Sequence, residues 1–177
     1  MEANADFDIQ FSGLKDGVHT FEFQLTEPFF ETFDNEEFNA VAAKAVVNLY
    51  KKPTLMEAEF SLEGHVNVNC DLTNEPFDLA VSNHFQLVIK FGPAFSDDHD
   101  DMIVLPHGSH QFNVTHQLYE LVVLSVPQKR VHPGVEDGSL NSEVLEKLDQ
   151  LKPSSNSHAS QSETDPRWDA LKKLKKK

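Results

Sequence analysis

The chain has 177 residues, of which 39% are apolar, so it is long enough for one domain that buries a core without disulfide bonds. Its formal net charge of −14 argues against a nucleic-acid coat protein, which needs a basic face. The single cysteine excludes an intramolecular disulfide and a cysteine-built zinc cage, and no apolar run reaches the roughly 18 residues of a membrane span.

Alternation of apolar and polar residues, the mark of half-buried β-strands, begins close to the amino terminus. Residues 6–14 and 18–25 both alternate in this way. The Lys-Asp-Gly sequence between them is turn chemistry, so we predict that the two runs pair as a hairpin. The Phe-rich, acidic residues 28–39 are predicted to form a short helix or a lid.

Longer alternating runs follow in the middle of the chain. They cover residues 42–50, 55–70 and 77–91, and each is predicted to be a strand. Gly64 falls inside the second run and suggests a bulge or a bend. Residues 92–101 are predicted to form a loop, and the apolar residues 102–105 a short edge strand.

The pattern then changes to helical spacing. Asn113 is a suitable N-cap for a helix over residues 114–126, which Pro127 ends. A second helix is predicted over about residues 140–152, and Asp165-Pro166 is a typical start for a third, basic helix. The fold class is therefore α+β, with an antiparallel β-sheet or a partly closed barrel in the first ~105 residues followed by helices.

Charge divides the chain into an acidic body and a basic end. The first 164 residues hold nine basic and 27 acidic side chains, a net charge of −18, whereas residues 165–177 carry +4. We predict a single α+β domain over residues 1–152, a flexible polar linker over 153–164 and a basic C-terminal helix or tail over 165–177. Both a solubilising frayed end and a phosphate-binding tail fit this lysine-rich segment.

Candidate catalytic or metal-binding residues are few. His107 and His110 have a spacing that can bind a metal in a tight turn, but Gly108 indicates a loop and no carboxylate completes a zinc motif. The acidic residues 97–101 lack the glycine and glutamate of a calcium-binding loop. Cys70 ends a strand, where it is either a small buried apolar group or a nucleophile that needs a base. We therefore predict no metal, no cofactor and no enzymatic activity, with a metal-dependent hydrolase as a distant alternative.

Three stretches, residues 62–77, 113–127 and 165–174, together resemble the YceD family of bacterial and plastid proteins. In that family a strand leads into a Cys-x-x-Cys turn, and a helix ending before proline, a second cysteine segment and an Asp-Pro-Arg module follow. Here Cys70 and Thr73 stand at the first pair of positions, and residues 131–138 replace the second. The chain thus resembles a divergent member without the cysteine pairs, and the resemblance implies fold and cellular role but no metal site.

The resemblance implies a non-enzymatic ribosome-biogenesis factor that promotes accumulation or assembly of large-subunit (23S) rRNA. The expected partner is large-subunit rRNA or a pre-ribosomal particle, or a basic ribosomal protein, and the oligomeric state stays open. Trp168 has a second interpretation as a cap on the domain's own core. The residues assigned to the contact with rRNA or a partner are Arg167, Trp168, Lys172, Lys173 and Lys175.

An acidic protein-binding module or chaperone, with no direct contact to RNA, is the alternative function. Its surface would comprise Glu27, Glu31, Asp34, Glu36 and Glu37. The amino terminus has no basic or apolar signal segment, so we expect a cytoplasmic protein without a membrane partner.

Overall fold

A computed structural model describes residues 5–33, 35, 37–99, 101–140 and 143–151. After a short 3₁₀ turn at Ala5–Phe7, the strands in these ranges are β1 (Asp8–Gln10), β2 (Gly17–Thr26), β3 (Ala40–Lys51), β4 (Leu55–Asn69), β5 (Pro76–Gly92), β6 (Ser96–His99), β7 (Met102–Pro106) and β8 (Gln111–Asn113). The helices are α1 (Glu27–Glu31), α2 (Thr115–Val123), α3 (Pro133–Glu136) and α4 (Glu143–Leu151).

Six strands form one mixed sheet in the order β2-β3-β4-β5-β7-β6. The first four are long and antiparallel, as the alternating sequence predicted for β3, β4 and β5. β7 joins β5 in parallel, and β6 then pairs antiparallel with β7 at the edge. The α+β class with a largely antiparallel sheet is confirmed.

The sheet has one apolar and one polar face, because successive side chains of a strand point to opposite sides. On the apolar face Val47, Phe60 and Phe85 are cross-strand neighbours, and the two phenyl rings stack with centroids 4.4 Å apart. Buried side chains of α1 and α2 belong to the same core. The opposite face bears polar residues such as Asn48 and Glu59. Helices α1 and α2 therefore pack against the apolar face of the sheet, and the opposite face carries polar side chains.

The predicted hairpin between residues 6–14 and 18–25 is wrong. β1 pairs instead with β8, with Ile9 opposite Phe112. The segment after β1 is held by Lys51 at the end of β3. The Lys51 Nζ donates hydrogen bonds to the carbonyls of Phe11 at 2.9 Å and Leu14 at 2.7 Å. The chain does bend at Asp16, but the partner of β1 is about a hundred residues away along the chain.

Gly64 does not form the bulge that its position suggested. The register of β4 runs without a shift through Gly64, which lies between Ala43 and Val81. A Cβ placed on Gly64 would overlap the backbone of Ala43 and lie 2.5 Å from the carbonyl oxygen of Ala42. The close approach of the neighbouring strand β3 therefore accounts for glycine at this position.

Two predictions for residues 92–105 need correction. The predicted loop contains β6, and β7 is an inner strand, because β6 covers its outer side. Alternation is absent from the Ser-Asp-Asp-His sequence of β6, and its residues are largely exposed. An exposed strand of this kind leaves no hydrophobic signal in the sequence.

Among the described residues, α1, α2 and α4 overlap predicted helical segments, whereas α3 was not predicted. α2 is shorter than predicted, and its N-cap is Val114, which makes no side-chain cap hydrogen bond. The predicted N-cap, Asn113, lies one residue earlier, where its Oδ1 accepts a hydrogen bond from the Thr115 N–H at 3.0 Å. α4 belongs to a second compact unit, residues 141–177, and is an amphipathic helix with no buried residue. The predicted basic C-terminal helix lies outside the described residues. None of the described helices has the length and apolar character needed to cross a bilayer.

Candidate functional site

The turn between β4 and β5, residues 70–75, is named here the Cys70 turn. Its ends are closed by two backbone hydrogen bonds, from the Cys70 N–H to Glu75 O at 2.9 Å and from the Asn74 N–H to Cys70 O at 2.8 Å. Asn74 has a φ of 58°, a left-handed conformation that asparagine tolerates better than most residues. This closure buries both residues at the family's first cysteine positions, Cys70 and Thr73.

The thiol of Cys70 is a hydrogen-bond acceptor inside this turn. Its Sγ lies 3.4 Å from the His132 backbone nitrogen, which donates to it. Burial raises the pKa of Cys70, but hydrogen bonds from the His132 N–H, the Thr73 hydroxyl and the N–H groups of Leu72 and Thr73 together lower it below its ordinary value. Because only 2% of Cys70 is exposed, the thiol contributes to packing and has no access to a substrate.

Residues 130–132 dock on the Cys70 turn. The Arg130 N–H donates to Asp71 Oδ2 at 2.6 Å, and the Asp71 N–H donates to Arg130 O at 2.8 Å. Arg130 Nε lies 3.6 Å from Asp71 Oδ1, close enough for an ion pair but too far for a hydrogen bond. The His132 ring meets the Phe77 ring edge-on at 5.3 Å. The Cys70 turn is therefore a neighbour in space of the start of residues 131–138, the stretch that the resemblance places at the family's second cysteine pair.

The residues of this site do not fit a metal ion. A structural zinc site needs four ligands, each within about 2.0–2.3 Å. The Cys70 turn offers one thiol, which already accepts a hydrogen bond from the His132 N–H, and the hydroxyl of Thr73. It also offers the carboxylates of Asp71 and Glu75, of which Asp71 already binds the Arg130 N–H. Within the described ranges, no group of three or more His, Cys, Asp or Glu residues could hold a metal. Protein hydrogen bonds hold the two segments together here.

The histidines singled out in the sequence are surface residues. His107 and His110 are both exposed and flank Gly108, which has a φ of 90°. Asp97 and Asp98 are exposed on β6. In the portion of the chain that the structure covers, these groups form no metal centre, so the hydrolase alternative gains no support from geometry.

The proposed acidic surface is partly described. Glu27, Glu31 and Glu37 are exposed on and after α1, whereas Asp34 and Glu36 lie outside the described residues. Aromatic packing supports this surface, because the phenyl ring of Phe33 stacks on Tyr119 with centroids 4.0 Å apart. The carboxylates are thus presented on an element anchored in the core.

The basic tail cannot be placed on the fold. Its assigned residues Arg167, Trp168, Lys172, Lys173 and Lys175 all lie outside the described residues. The assignment of these side chains to rRNA or a partner stays a prediction from sequence and resemblance.

A cleft that sequence reasoning missed lies between β5, α2 and the β6–β7 pair. Its volume is about 620 Å³, within the range of small-molecule clefts. Asn83 on β5 anchors its helical wall by donating from Nδ2 to the Leu121 carbonyl at 3.2 Å. His84, Asp97 and Glu120 are among the polar side chains that line it. No sequence signal marks this cleft, because it depends on β5 extending beyond the shorter strand β7 that pairs with it.

Comparison with known proteins gives one family. The family described as "Large ribosomal RNA subunit accumulation protein YceD" matches residues 58–175, two thirds of the chain. No curated protein and no solved structure matches the chain. The matched region includes the Cys70 turn and the segment docked on it.

Proposed function

This chain belongs to the YceD family, and we propose that it is a non-enzymatic ribosome-biogenesis factor that promotes accumulation or assembly of large-subunit (23S) rRNA. The observation that carries the proposal is the family match over residues 58–175, whose description refers to the large ribosomal RNA subunit. The match includes the Asp-Pro-Arg-Trp segment that starts the basic tail. The family match supports a connection to the ribosome, and the distribution of charge along the chain suggests which part contacts rRNA.

The tail is the part of the chain suited to RNA. Residues 165–177 carry +4, whereas the preceding residues carry −18. Phosphate groups bind where lysine and arginine replace their counterions, and an acidic surface repels them. In this proposal the tail contacts rRNA and the acidic body contacts a basic ribosomal protein.

Sucrose-gradient sedimentation of tagged full-length protein from its native host, with and without RNase, tests the proposal. We expect comigration with immature large subunits that is lost on RNase treatment. Protein confined to the top of both gradients would contradict a ribosomal role. Comigration that survives RNase would indicate contact through protein alone.

The tail assignment has a matched charge test. Replacing Lys172, Lys173 and Lys175 by glutamate removes positive charge from the tail. A control with the same change of charge replaces Lys15, Lys90 and Lys129 of the body by glutamate, and all three of these lysines are exposed. We expect the tail variant to lose RNase-sensitive comigration and the body control to retain most of it. Similar losses in both variants would show that net charge, not the tail, governs the contact.

A second candidate function is an acidic module that binds a basic protein without touching RNA. It is favoured by the exposed carboxylates of Glu27, Glu31 and Glu37 on their aromatic support. Reversing these three charges to lysine would then abolish capture of basic ribosomal proteins from an RNase-treated extract. Capture that is insensitive to salt, or unchanged in the variant, would reject this surface.

A further inference from the structure

The outer edge of β5 is only partly covered. β7 pairs with β5 from Val88 to Gly92, so β5 extends well beyond its neighbour at the amino-terminal end. Within the described ranges, no strand pairs with the outer edge of residues 77–87. This edge contains neither lysine nor proline, the residues with which proteins commonly protect an open edge.

The direction of the backbone groups follows from the bonds made further along β5. The Val88 N–H donates to Asp101 O at 2.8 Å, and the Gly92 carbonyl accepts from the His107 N–H at 2.9 Å. Because the backbone N–H and C=O groups alternate between the two edges of a strand, those of every second residue before Val88 also point toward the outer edge. These residues are Asp78, Ala80, Ser82, His84 and Gln86. Of these, the His84 N–H is already bonded to the Asn83 side chain at 2.9 Å.

The cleft described above lies along the carboxyl-terminal part of this edge. One wall is α2, which Asn83 holds at a fixed distance from β5 through the Leu121 carbonyl. Leu124, which follows α2 at the mouth of the cleft, is 76% exposed and offers an apolar contact. The outer edge of β5 before Val88, together with the α2 wall, is called the slot. A strand added to this edge would lie end to end with β7.

We propose that this slot binds an extended, lysine- or arginine-containing segment of a partner protein, which adds a strand to β5. Added strands gain affinity from main-chain hydrogen bonds and specificity from alternate side chains. The choice of a basic partner rests on the proposed function, in which the acidic body contacts a basic protein. The place and mode of binding rest on the sheet edge alone.

Charge selects the occupant. Asp97 and Glu120 line the slot together with the imidazoles of three histidines, of which His116 lies 3.1 Å from Glu120. Asp78 stands at the far end of the edge, and among the described residues no lysine or arginine lines the cleft. A basic segment would bring opposite charges to these carboxylates. A second copy that paired antiparallel through the same edge would place Asp78 opposite Gln86 and would bring further carboxylates, not a lysine or arginine, to the slot.

Binding can be tested on the full chain with a synthetic peptide in which lysine alternates with valine, matched in length to residues 78–86. Amide hydrogen exchange reports the contact directly. We expect the outward amides of Ala80, Ser82 and Gln86 to exchange about tenfold more slowly when the peptide is bound. Binding that leaves these amides unprotected would overturn the proposal.

Two matched comparisons separate strand addition from general attraction of charges. N-methylation of the peptide amides on one edge should weaken binding about tenfold or more, whereas methylation on the other edge should change it little. Glu120→Lys in the slot should weaken binding about three- to fivefold, and the control Asp16→Lys, at an exposed residue before β2 on the opposite edge of the sheet, should not. Equal effects of the two methylations, or of the two substitutions, would refute strand addition.

The outcome is independent of the gradient experiment. Peptide binding at the slot without comigration would support the edge and reject the ribosomal role. Comigration without peptide binding would reject the edge and leave the family-level function standing. Dimerisation of the free chain through the same amides would identify a second copy as occupant and reject the basic segment.

Discussion

The hydrogen bonds between Asp71 and Arg130 should hold residues 130–132 against the Cys70 turn, a role that a bound metal ion fills in other proteins. Asp71→Ala removes the acceptor of the Arg130 N–H, a bond of 2.6 Å to a carboxylate. Hydrogen bonds to charged groups contribute about 1.5–3 kcal/mol. The side chain of Asp71 is 37% exposed, so the lower part of that range applies. We expect Asp71→Ala to lower the free energy of unfolding by about 2 kcal/mol.

Arg130→Ala is the matched control. It keeps the backbone N–H that Asp71 binds and removes only the ion pair, in which Nε and Oδ1 are 3.6 Å apart. A partly exposed ion pair contributes about 0–1 kcal/mol, so this variant should lose less than half as much. Both are measured by denaturant unfolding of the full chain, followed by circular dichroism, with and without EDTA. Equal losses, or lower stability of the parent chain in EDTA, would refute the reasoning.

Other changes test the packing and electrostatics of the same unit. Gly64→Ala should cost about 1–3 kcal/mol because the new methyl overlaps the backbone of β3, whereas Gly13→Ala, with nothing within 4 Å, should be nearly neutral in thermal unfolding. Lys51→Met should cost about 2 kcal/mol and speed amide exchange in the segment after β1, whose carbonyls the ammonium binds. The Glu59 carboxylate raises the pKa of Tyr50 above 10.0, so stability should fall as the pH rises through that raised value, and Glu59→Gln should lower the pKa in an ultraviolet titration.

The long strands were predictable because each residue reports its own side of the sheet. From Leu55 to Asn69 the apolar residues alternate without a break, and the strand has the predicted start and nearly the predicted end. Pairing was less predictable. The contacts that join β1 to β8 involve residues distant in the sequence: Phe11 packs against Phe91 and Phe112, and the Asp8 carboxylate accepts hydrogen bonds from the side chains of Gln111 and Asn113. Alternation therefore predicts strands better than it predicts neighbours.

The candidate sites divide in the same way. Cys70 and Thr73 were found through the resemblance, and the structure adds what they contact, which no local pattern contains. The open edge of β5 had no sequence signal, because it depends on the length of β7 relative to β5. A site that arises from a difference in strand length becomes visible only when the order of the strands is known.

The docked segment also fixes where the chain leaves the first unit. Arg130 and His132 bind the Cys70 turn, and the Leu140 N–H donates to Gly134 O at 2.9 Å at the end of that unit. If the tail makes the rRNA contact, the hydrogen bond between Asp71 and the Arg130 N–H is needed for stability but not for the contact with rRNA. Asp71→Ala should therefore retain RNase-sensitive comigration at temperatures where it remains folded. Loss of comigration in the folded variant would instead mean that the docked segment takes part in binding.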